Sequence, residues 1–227
     1  MSKHQRHDPD HEKYLYPTQL CDFDRHPEIR DKALELTLGR QAREDRLQGI
    51  YHFVKELPFG LEDWDVRASE TLSKGWGMCS GKTNLLVAML RSIGIPARYR
   101  IYRVKAENIL WKALMNDQEA HRHLETIPLE QDHVDCEAWL GSWSNFDAAR
   151  DSALERGMLA LRIPLQREPI VDDTGQIPYL ILTSFDDWAK ERQHKRGFRE
   201  NRYEIFTTIN ERFSKIRASG SNKPHSV

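Results

Sequence analysis

The feature that most constrains this chain is a cysteine at the start of a predicted buried helix. Cys79 follows the glycine-punctuated run Gly75-Trp76-Gly77-Met78 and precedes an apolar run at residues 85–90. The helix is predicted to stop at Ile93-Gly94-Ile95-Pro96, because glycine suits the left-handed residue past a helix end and proline cannot continue a helix. The positive end of the helix dipole should favour a thiolate at Cys79, and the thiolate is the nucleophilic form.

The composition indicates that this helix belongs to a globular protein. The chain has 227 residues, of which 39% are hydrophobic and 30% charged, enough for one sizeable core. A net charge of -1 gives no general argument for nucleic acid or membranes. Three cysteines argue against a disulfide framework, and the first residues lack an apolar signal region. We therefore expect a cytoplasmic protein with no membrane partner.

The polar ends of the chain predict one domain between two tails. Residues 1–13 are rich in histidine and are expected to form a mobile tail, and residues 218–227 are expected to be disordered. A single domain is predicted at residues 14–217, with a helical extension over about 184–217. That extension opens at Ser184-Phe185-Asp186-Asp187, which resembles a capping box. An apolar stripe with steps of 3, 4 and 3 then predicts a helix docked on the core: Phe206, Ile209, Phe213 and Ile216.

Helices are predicted before Cys79 and strands after it. One helix begins at Pro27, a second has an apolar face from Leu47 to Leu57, and a short third is capped by Asp65 and ends before Gly75. Strands are predicted at residues 97–104, 133–140, 143–148 and 177–183, the last of them buried. Residues 105–131 are irregular and resemble an insertion beside a site.

The chain also supplies partners that could activate Cys79. A cysteine nucleophile needs a base that accepts its proton and a third group that orients the base. His133 opens one predicted strand, and Asp147 lies on the next. Cys136 is expected on the strand face opposite His133, as a core residue.

The convergence of His133 and Asp147 depends on the register of their strands. A two-residue turn at Gly141-Ser142 would pair Cys136 with Asp147 and point His133 away, because a slip of one residue reverses the face of every side chain. We therefore predict an odd-length loop or a bulge between Leu140 and Asn145, with Gly141 as the bulge residue.

Two stretches resemble the transglutaminase-like superfamily over about residues 45–150. In that family a Gly-x-Cys turn precedes a long apolar helix ending in Leu-Arg-x-x-Gly-Ile-Pro-x-Arg. The matching positions are Gly77, Cys79, Leu90, Arg91, Gly94, Ile95, Pro96 and Arg98. A second stretch resembles the family's histidine strand, Gly-x-Trp turn and aspartate strand. Its matching positions are His133, Glu137, Gly141, Trp143 and Asp147.

The resemblance implies an α+β papain-like core with the nucleophile at the N-terminus of a central helix packed against an antiparallel sheet. It also implies that Cys79, His133 and Asp147 form a catalytic triad. Such a triad transfers an acyl group from an amide, expected in a peptide or protein, to the thiol as a thioester and then to water or an amine. The expected function is a cysteine hydrolase or acyltransferase that needs no metal or organic cofactor.

The resemblance leaves the oxyanion site incomplete. The backbone amide of Cys79 would stabilise the oxyanion. The family often adds a polar-edged aromatic residue before the nucleophile. The matching residue here is Phe59, which has no hydrogen-bond donor, so Trp64 or Trp76 could substitute for it.

Two other functions use the same residues. An acyl-CoA-dependent amine acyltransferase carries the same three residue types on a related fold. Alternatively, the fold could serve as a binding module whose triad is unused.

Other ligands have weaker support in the sequence. Arg98 and Arg100 could bind an anion, and the basic segment 188–217 could contact nucleic acid, but a solvated face explains each more simply. A zinc site would need Cys79, Cys136, His121, His123 and His133, which lack the spacing of known zinc motifs.

Overall fold

The computed structural model describes residues 9–105, 130–195 and 202–221. The helices of these ranges are α1 (Pro9–Glu12), α2 (Pro27–Leu36), α3 (Arg43–Glu56), α4 (Ala68–Lys74), α5 (Cys79–Ser92), α6 (Ser152–Ala160), α7 (Asp186–Lys195) and α8 (Arg202–Ser219). The strands are β1 (Ala97–Lys105), β2 (Glu130–Trp139), β3 (Trp143–Phe146), β4 (Glu168–Pro169) and β5 (Leu180–Leu182). Most of the predicted insertion at 105–131 and the end of the C-terminal tail lie outside the described residues.

Helix α5 lies at the centre of the fold. Every residue from Cys79 to Arg91 is buried, and the helix packs against α2, α3 and α4 as well as β1 and β2. A helix buried around its whole circumference belongs in the interior of a protein. The prediction of a buried helix that begins at Cys79 is confirmed, and Gly94 follows it in the left-handed conformation with φ of 81°.

An antiparallel sheet packs against α5 in the strand order β3-β2-β1-β4, and β5 also pairs with β1. Its core face carries buried residues from β1 and β2: Tyr99, Ile101, Val134 and Cys136. Its opposite face carries Arg98 and Arg100 from β1 and His133 and Asp135 from β2, because side chains alternate along a strand. The predicted α+β architecture, with a central helix on an antiparallel sheet, is confirmed.

The register between β2 and β3 agrees with the prediction. Trp139 pairs with Trp143 and Cys136 with Phe146, so three residues, 140–142, connect the strands. The loop is odd in length, and Gly141 adopts a φ of 99° that favours glycine. Continuing this register by one pair would set Asp147 opposite Asp135, on the face that carries His133.

Helices α6 and α8 form a second apolar cluster beside the α5 core. Ile209, Phe213 and Ile216 of α8 are buried there with Leu154 and Met158 of α6. The prediction that the C-terminal stripe docks on the fold is therefore confirmed. Farther upstream, α7 begins at Asp186, and Ser184 Oγ accepts the Asp186 amide over 3.2 Å. The serine thus binds the amide two residues on, not the amide three residues on that a capping box requires.

Three local predictions about the folded part are wrong. The strand β5 has only three residues, and Leu180 is 45% exposed, because the strand lies at the margin of the sheet with β1 as its partner. Arg67, not Asp65, precedes α4. Ile205 is buried at the start of the C-terminal stripe, whereas Phe206 is half-buried.

The N-terminal tail also ends earlier than predicted. Residues Pro9–Glu12 are helical, and the His11 ring stacks on Trp139 with centroids 3.8 Å apart. Tyr14 packs edge-on against Trp143 at 5.0 Å. The aromatic residues at the ends of β2 and β3 therefore hold residues that were expected to be mobile, while residues 1–8 lie outside the described ranges.

Among the described residues, no helix combines the length and the apolar character needed to cross a bilayer.

A buried lysine joins α5 to the segments around it. Lys82 is fully buried, and its Nζ donates to the carbonyls of Lys55, Leu57 and Ala149 over 3.0, 2.6 and 2.9 Å. Three acceptors match the three N–H bonds of an ammonium group. Lys82 thereby fixes the end of α3 and the segment after β3 to the central helix.

Lys82 predicts a specific dependence of stability on pH. Burial lowers the pKa of Lys82 to about 7, whereas an unfolded lysine has a pKa of about 10.4. Between these values the unfolded chain binds more protons, so the free energy of unfolding should rise with pH. Urea unfolding at pH 7, 8 and 9 should show this rise in the wild type and a smaller rise in Lys82→Met. Equal slopes for the two proteins would contradict the prediction.

The contact between α6 and α8 predicts an intolerance of side chains at Gly157. A Cβ atom there would lie 1.9 Å from the backbone oxygen of Ile216. Gly157→Ala should therefore lower the free energy of unfolding by about 2 kcal/mol, a typical cost of overpacking. Leu159→Ala on the same helix is the control, because Leu159 is 59% exposed and should cost less. Equal unfolding midpoints for Gly157→Ala and the wild type would show that the helices can move apart freely.

Candidate active site

The first turn of α5 contacts the strand that carries His133. The backbone of Val134, the residue after His133, lies close enough to the Cys79 sulfur to lower the pKa of the thiol. One turn farther along α5, Thr83 Oγ1 donates to the carbonyl of Val134 over 3.3 Å. Cys79 and Thr83 thus both lie beside Val134, which places the thiol next to the middle of β2.

The end of β3 explains why Val134 is available to α5. The Trp139 amide donates to Pro96 on the β1 side of β2 over 2.9 Å. Backbone N–H groups alternate in direction along a strand, so the amides of even-numbered residues point to the β3 side. Pairing with β3 ends at Cys136 and Phe146, which leaves Val134 facing α5 instead of another strand.

His133 and Asp147 are in direct contact, as their shared sheet face predicts. His133 is 4% exposed, and its Nε2 lies 3.1 Å from Asp147 Oδ2. The other carboxylate oxygen accepts the Ala149 amide over 3.0 Å, and Tyr51 donates to the Asp147 carbonyl over 3.1 Å. An ionised carboxylate only accepts hydrogen bonds, so Nε2 carries a proton and Nδ1 of the neutral ring is an acceptor.

Aromatic packing fixes the plane of the imidazole. Tyr102 lies opposite His133 in the β1–β2 register, and the two rings meet edge to face with centroids 5.2 Å apart. Tyr179 packs on Tyr102 at 5.6 Å, and the Arg100 guanidinium lies 4.5 Å from the Tyr179 ring centre. The tyrosines therefore restrict rotation of His133 on the side formed by β1.

The surroundings of the Cys79 thiol disfavour its thiolate form. Burial raises its pKa to about 12, against the opposing effects of the Val134 hydrogen bond and the Arg167 charge. The side chain is only 6% exposed. The expectation that the helix dipole favours the thiolate is thus outweighed by desolvation, which penalises a buried charge.

The charges around His133 favour a neutral ring beside an ionised aspartate. Burial and then the charge of Arg167 lower the pKa of His133, whereas Asp147 opposes them. Burial alone would raise the pKa of Asp147, but its contact with His133 and the charge of Arg167 hold it well below its usual range. A neutral imidazole can accept a proton, as a general base must.

Arg167 is a part of this site that the sequence did not reveal. Its Nη1 donates to the Asp147 oxygen that also contacts His133. The side chain is 15% exposed and belongs to the segment between α6 and β4. No motif or periodicity marks Arg167, because the contact depends on how that segment returns to the sheet.

The three aromatic residues considered for the oxyanion site have different neighbours. The Phe59 ring packs against Phe213 at 5.3 Å, and its backbone bridges to Gly77. Trp64 is buried against Trp188 at 5.3 Å, and the Lys74 ammonium lies 4.5 Å from the ring centre of Trp76. The part played by Phe59, Trp64 or Trp76 at an oxyanion stays a prediction.

Arg98 and Arg100 of β1 form neither a solvated face nor open anion sites. Arg98 binds Glu137 over 2.7 Å. Arg100 binds both oxygens of Asp135, over 2.9 and 2.8 Å. Cross-strand pairing therefore gives each arginine a carboxylate from β2, and both interpretations of Arg98 and Arg100 from the sequence are wrong.

Several basic residues of the C-terminal segment are also paired. Arg217 binds the buried Asp151 over 2.7 Å, and Arg202 binds Asp63 over 2.9 Å. These contacts attach α8 to the segments around α5 and give its arginines a structural role. The possibility that the segment contacts nucleic acid stays untested.

One group of side chains has the donor types of a metal site. Ligand atoms of His133, Asp135 and Asp147 lie within 4.8 Å of one another. Both carboxylates already bind a guanidinium, from Arg100 and Arg167. A cation would have to displace these partners, so the group fits an ion-paired site better than a resident metal. In the zinc alternative, Cys136 lies on the face opposite His133, and His121 and His123 fall outside the described residues.

The contact between Asp147 and His133 predicts the direction of a pKa change. Because the negative charge of Asp147 raises the pKa of His133, Asp147→Asn should lower it. An NMR titration can measure the change, with the His133 ring signal assigned from its absence in His133→Asn. Glu137→Gln is the control, because Glu137 pairs with Arg98 on the same sheet face. An unchanged or raised pKa in Asp147→Asn would contradict the geometry.

The comparison with protein families agrees with this architecture. The model of the transglutaminase-like superfamily matches residues 30–148, just over half of the chain. No curated protein sequence matches the chain. A crystal structure of a candidate cysteine protease from Cytophaga hutchinsonii is similar, with a TM-score of 0.49 and 19% identity over 77% of this chain and 52% of that one. The chain thus spans about half of that protein. The resemblance and the papain-like α+β fold are confirmed, and the chain belongs to the transglutaminase-like superfamily.

Proposed function

We propose that this protein is a cysteine hydrolase or acyltransferase that acts on an amide, expected in a peptide or protein. The observation that carries the proposal is the hydrogen bond of 3.1 Å between His133 and Asp147, formed where the Cys79 sulfur meets the next residue of the same strand. Family membership supports the same chemistry. The arrangement matches the requirements of a nucleophile, a base and a group that orients the base.

In the first half of the reaction, the Cys79 sulfur attacks the amide carbonyl while His133 Nδ1 accepts the thiol proton. The C–N bond then breaks, and His133 returns this proton to the leaving amine. The products are a free amine and a thioester on Cys79. Asp147 stays ionised throughout and stabilises the transient imidazolium.

In the second half, His133 accepts a proton from water or from an amine as that molecule attacks the thioester. The C–S bond breaks, and the proton passes to the departing sulfur. Water yields a carboxylic acid, and an amine yields a new amide. The thiol and the neutral imidazole are restored.

The N-terminus of α5 supports the charge that develops on the substrate oxygen. The amide of Cys79 lies at the first residue of the helix, where N–H groups have no partner within the helix. The dipole of a buried helix favours negative charge at this end. A second donor is expected from Trp76 or Trp64.

The raised pKa of Cys79 determines how the thiol is activated. With a pKa of about 12, very little free thiolate exists at neutral pH. Proton transfer to His133 must therefore accompany nucleophilic attack. The burial of this thiol and its raised pKa are also the observations that best fit the alternative of a binding module with an unused triad.

Labelling with an amide-mimicking, thiol-reactive probe tests the proposal. Mass spectrometry should locate the label on Cys79, and Cys79→Ala should abolish it. His133→Ala should slow labelling by about 10²–10⁴-fold, the usual contribution of a general base. Cys136→Ala is the matched control. Cys136 is also buried, but it lies on the face of β2 opposite His133, so its loss should not change the labelling rate.

Equal and slow labelling of the wild type and His133→Ala would contradict the enzyme proposal and favour the binding module. An acyl-CoA supplied instead of the probe distinguishes the remaining alternative. Transfer of its acyl group to Cys79 would identify an acyl-CoA-dependent amine acyltransferase.

A further inference from the structure

Arg167 and His133 share one oxygen of Asp147. The guanidinium Nη1 and the imidazole Nε2 both contact Oδ2, while Oδ1 accepts the Ala149 amide over 3.0 Å. All three contacts come from different segments of the chain. The carboxylate of Asp147 is therefore held from three directions, and its rotation would break at least one hydrogen bond.

We propose that Arg167 is a positioning residue of the site, which holds the Asp147 carboxylate so that His133 keeps its proton on Nε2 and presents Nδ1 as the base. The inference rests on the proposed function for the role of the base, whereas the positioning of Asp147 rests on contacts alone. Arg167 need not contact a substrate, because it acts through Asp147.

The identity of the residue suits this task. A guanidinium remains charged at every physiological pH and donates in a fixed plane. It therefore keeps Asp147 ionised, so the carboxylate accepts a hydrogen bond from Nε2–H and cannot donate one to the ring. Without Arg167, two of these three contacts of the Asp147 carboxylate would remain, those with His133 and with the Ala149 amide.

The charge of Arg167 has a second effect on the base. A guanidinium beside an imidazole disfavours the imidazolium, and the charge of Arg167 lowers the pKa of His133 in addition to burial. The ring therefore remains neutral, and able to accept the thiol proton, at lower pH than it would without Arg167.

Other groups around His133 also affect its pKa, so their contacts must stay the same in the variants that are compared. Asp135 on β2 faces the ring and is paired with Arg100 of β1. Tyr102 of β1 packs edge-on against it. Cys79 of α5 lies beside Val134, the residue that follows His133 in β2. None of them contacts Oδ2 of Asp147 in the described residues, so a substitution at Arg167 leaves their own contacts in place.

The test compares two variants of the full chain. Arg167→Met keeps an unbranched, apolar stem of similar length but removes the charge and its hydrogen bonds, and Arg167→Lys keeps a charge. Arg98→Met is the control, because Arg98 is an equally half-buried arginine on the same sheet face and pairs with Glu137. The pKa of His133 is measured by NMR titration, and the rate of Cys79 alkylation by iodoacetamide is measured from pH 5 to 8.

The pKa of His133 should rise in Arg167→Met and stay near the wild-type value in Arg167→Lys and Arg98→Met. The acid limb of the alkylation profile should move to higher pH in Arg167→Met, with a several-fold lower rate at pH 6 that recovers toward pH 8. A merely structural role predicts a lower unfolding midpoint in both Arg167 variants and an unchanged His133 pKa.

An unchanged pKa of His133 in folded Arg167→Met would overturn the inference. The titration separates this failure from a failure of the proposed function. If Cys79 proves inert while the His133 pKa still rises in Arg167→Met, the positioning of Asp147 by Arg167 stands and the role of His133 as a base is wrong.

Discussion

The complete burial of α5 is the constraint on which the rest of the structure depends. A buried polar group is costly unless it forms a hydrogen bond, and two long polar side chains of α5 form theirs with neighbouring segments. Lys82 binds carbonyls at the end of α3 and after β3. Arg91 binds the carbonyls of Tyr16, Ala97 and Thr183. These contacts join the N-terminal segment, the sheet and the approach to α7 to one helix.

The same constraint determines the chemistry of the site. Burial that orders the first turn of α5 also removes the Cys79 thiol from water and raises its pKa to about 12. Before a substrate reacts, the site therefore holds a neutral thiol, a neutral imidazole and an ion pair between Asp147 and Arg167. Charge appears on sulfur only when a base accepts the proton, which makes the geometry of His133 more important than the acidity of Cys79.

The predictions from sequence succeeded where local pattern and function point the same way. The glycine turn, the apolar run and Gly94 defined α5, and the need to bring His133 and Asp147 together predicted the odd-length loop at Gly141. The prediction of a buried strand at β5 failed because an apolar sequence does not reveal that a strand lies at the margin of its sheet. Arg167, the pairing of Arg100 with Asp135 and the neutral state of Cys79 could not be predicted, since each depends on tertiary contacts between distant segments.

The central claim is that Cys79, His133 and Asp147 act as one proton-transfer unit. A crystal structure of the protein with an amide-mimicking probe bound to Cys79 tests it most directly. The account predicts the probe's carbonyl oxygen at the Cys79 amide and the sulfur within hydrogen-bond distance of His133 Nδ1, with Nε2 still on Asp147. A bound probe with the imidazole turned away from the sulfur, or with Asp147 separated from His133, would contradict it.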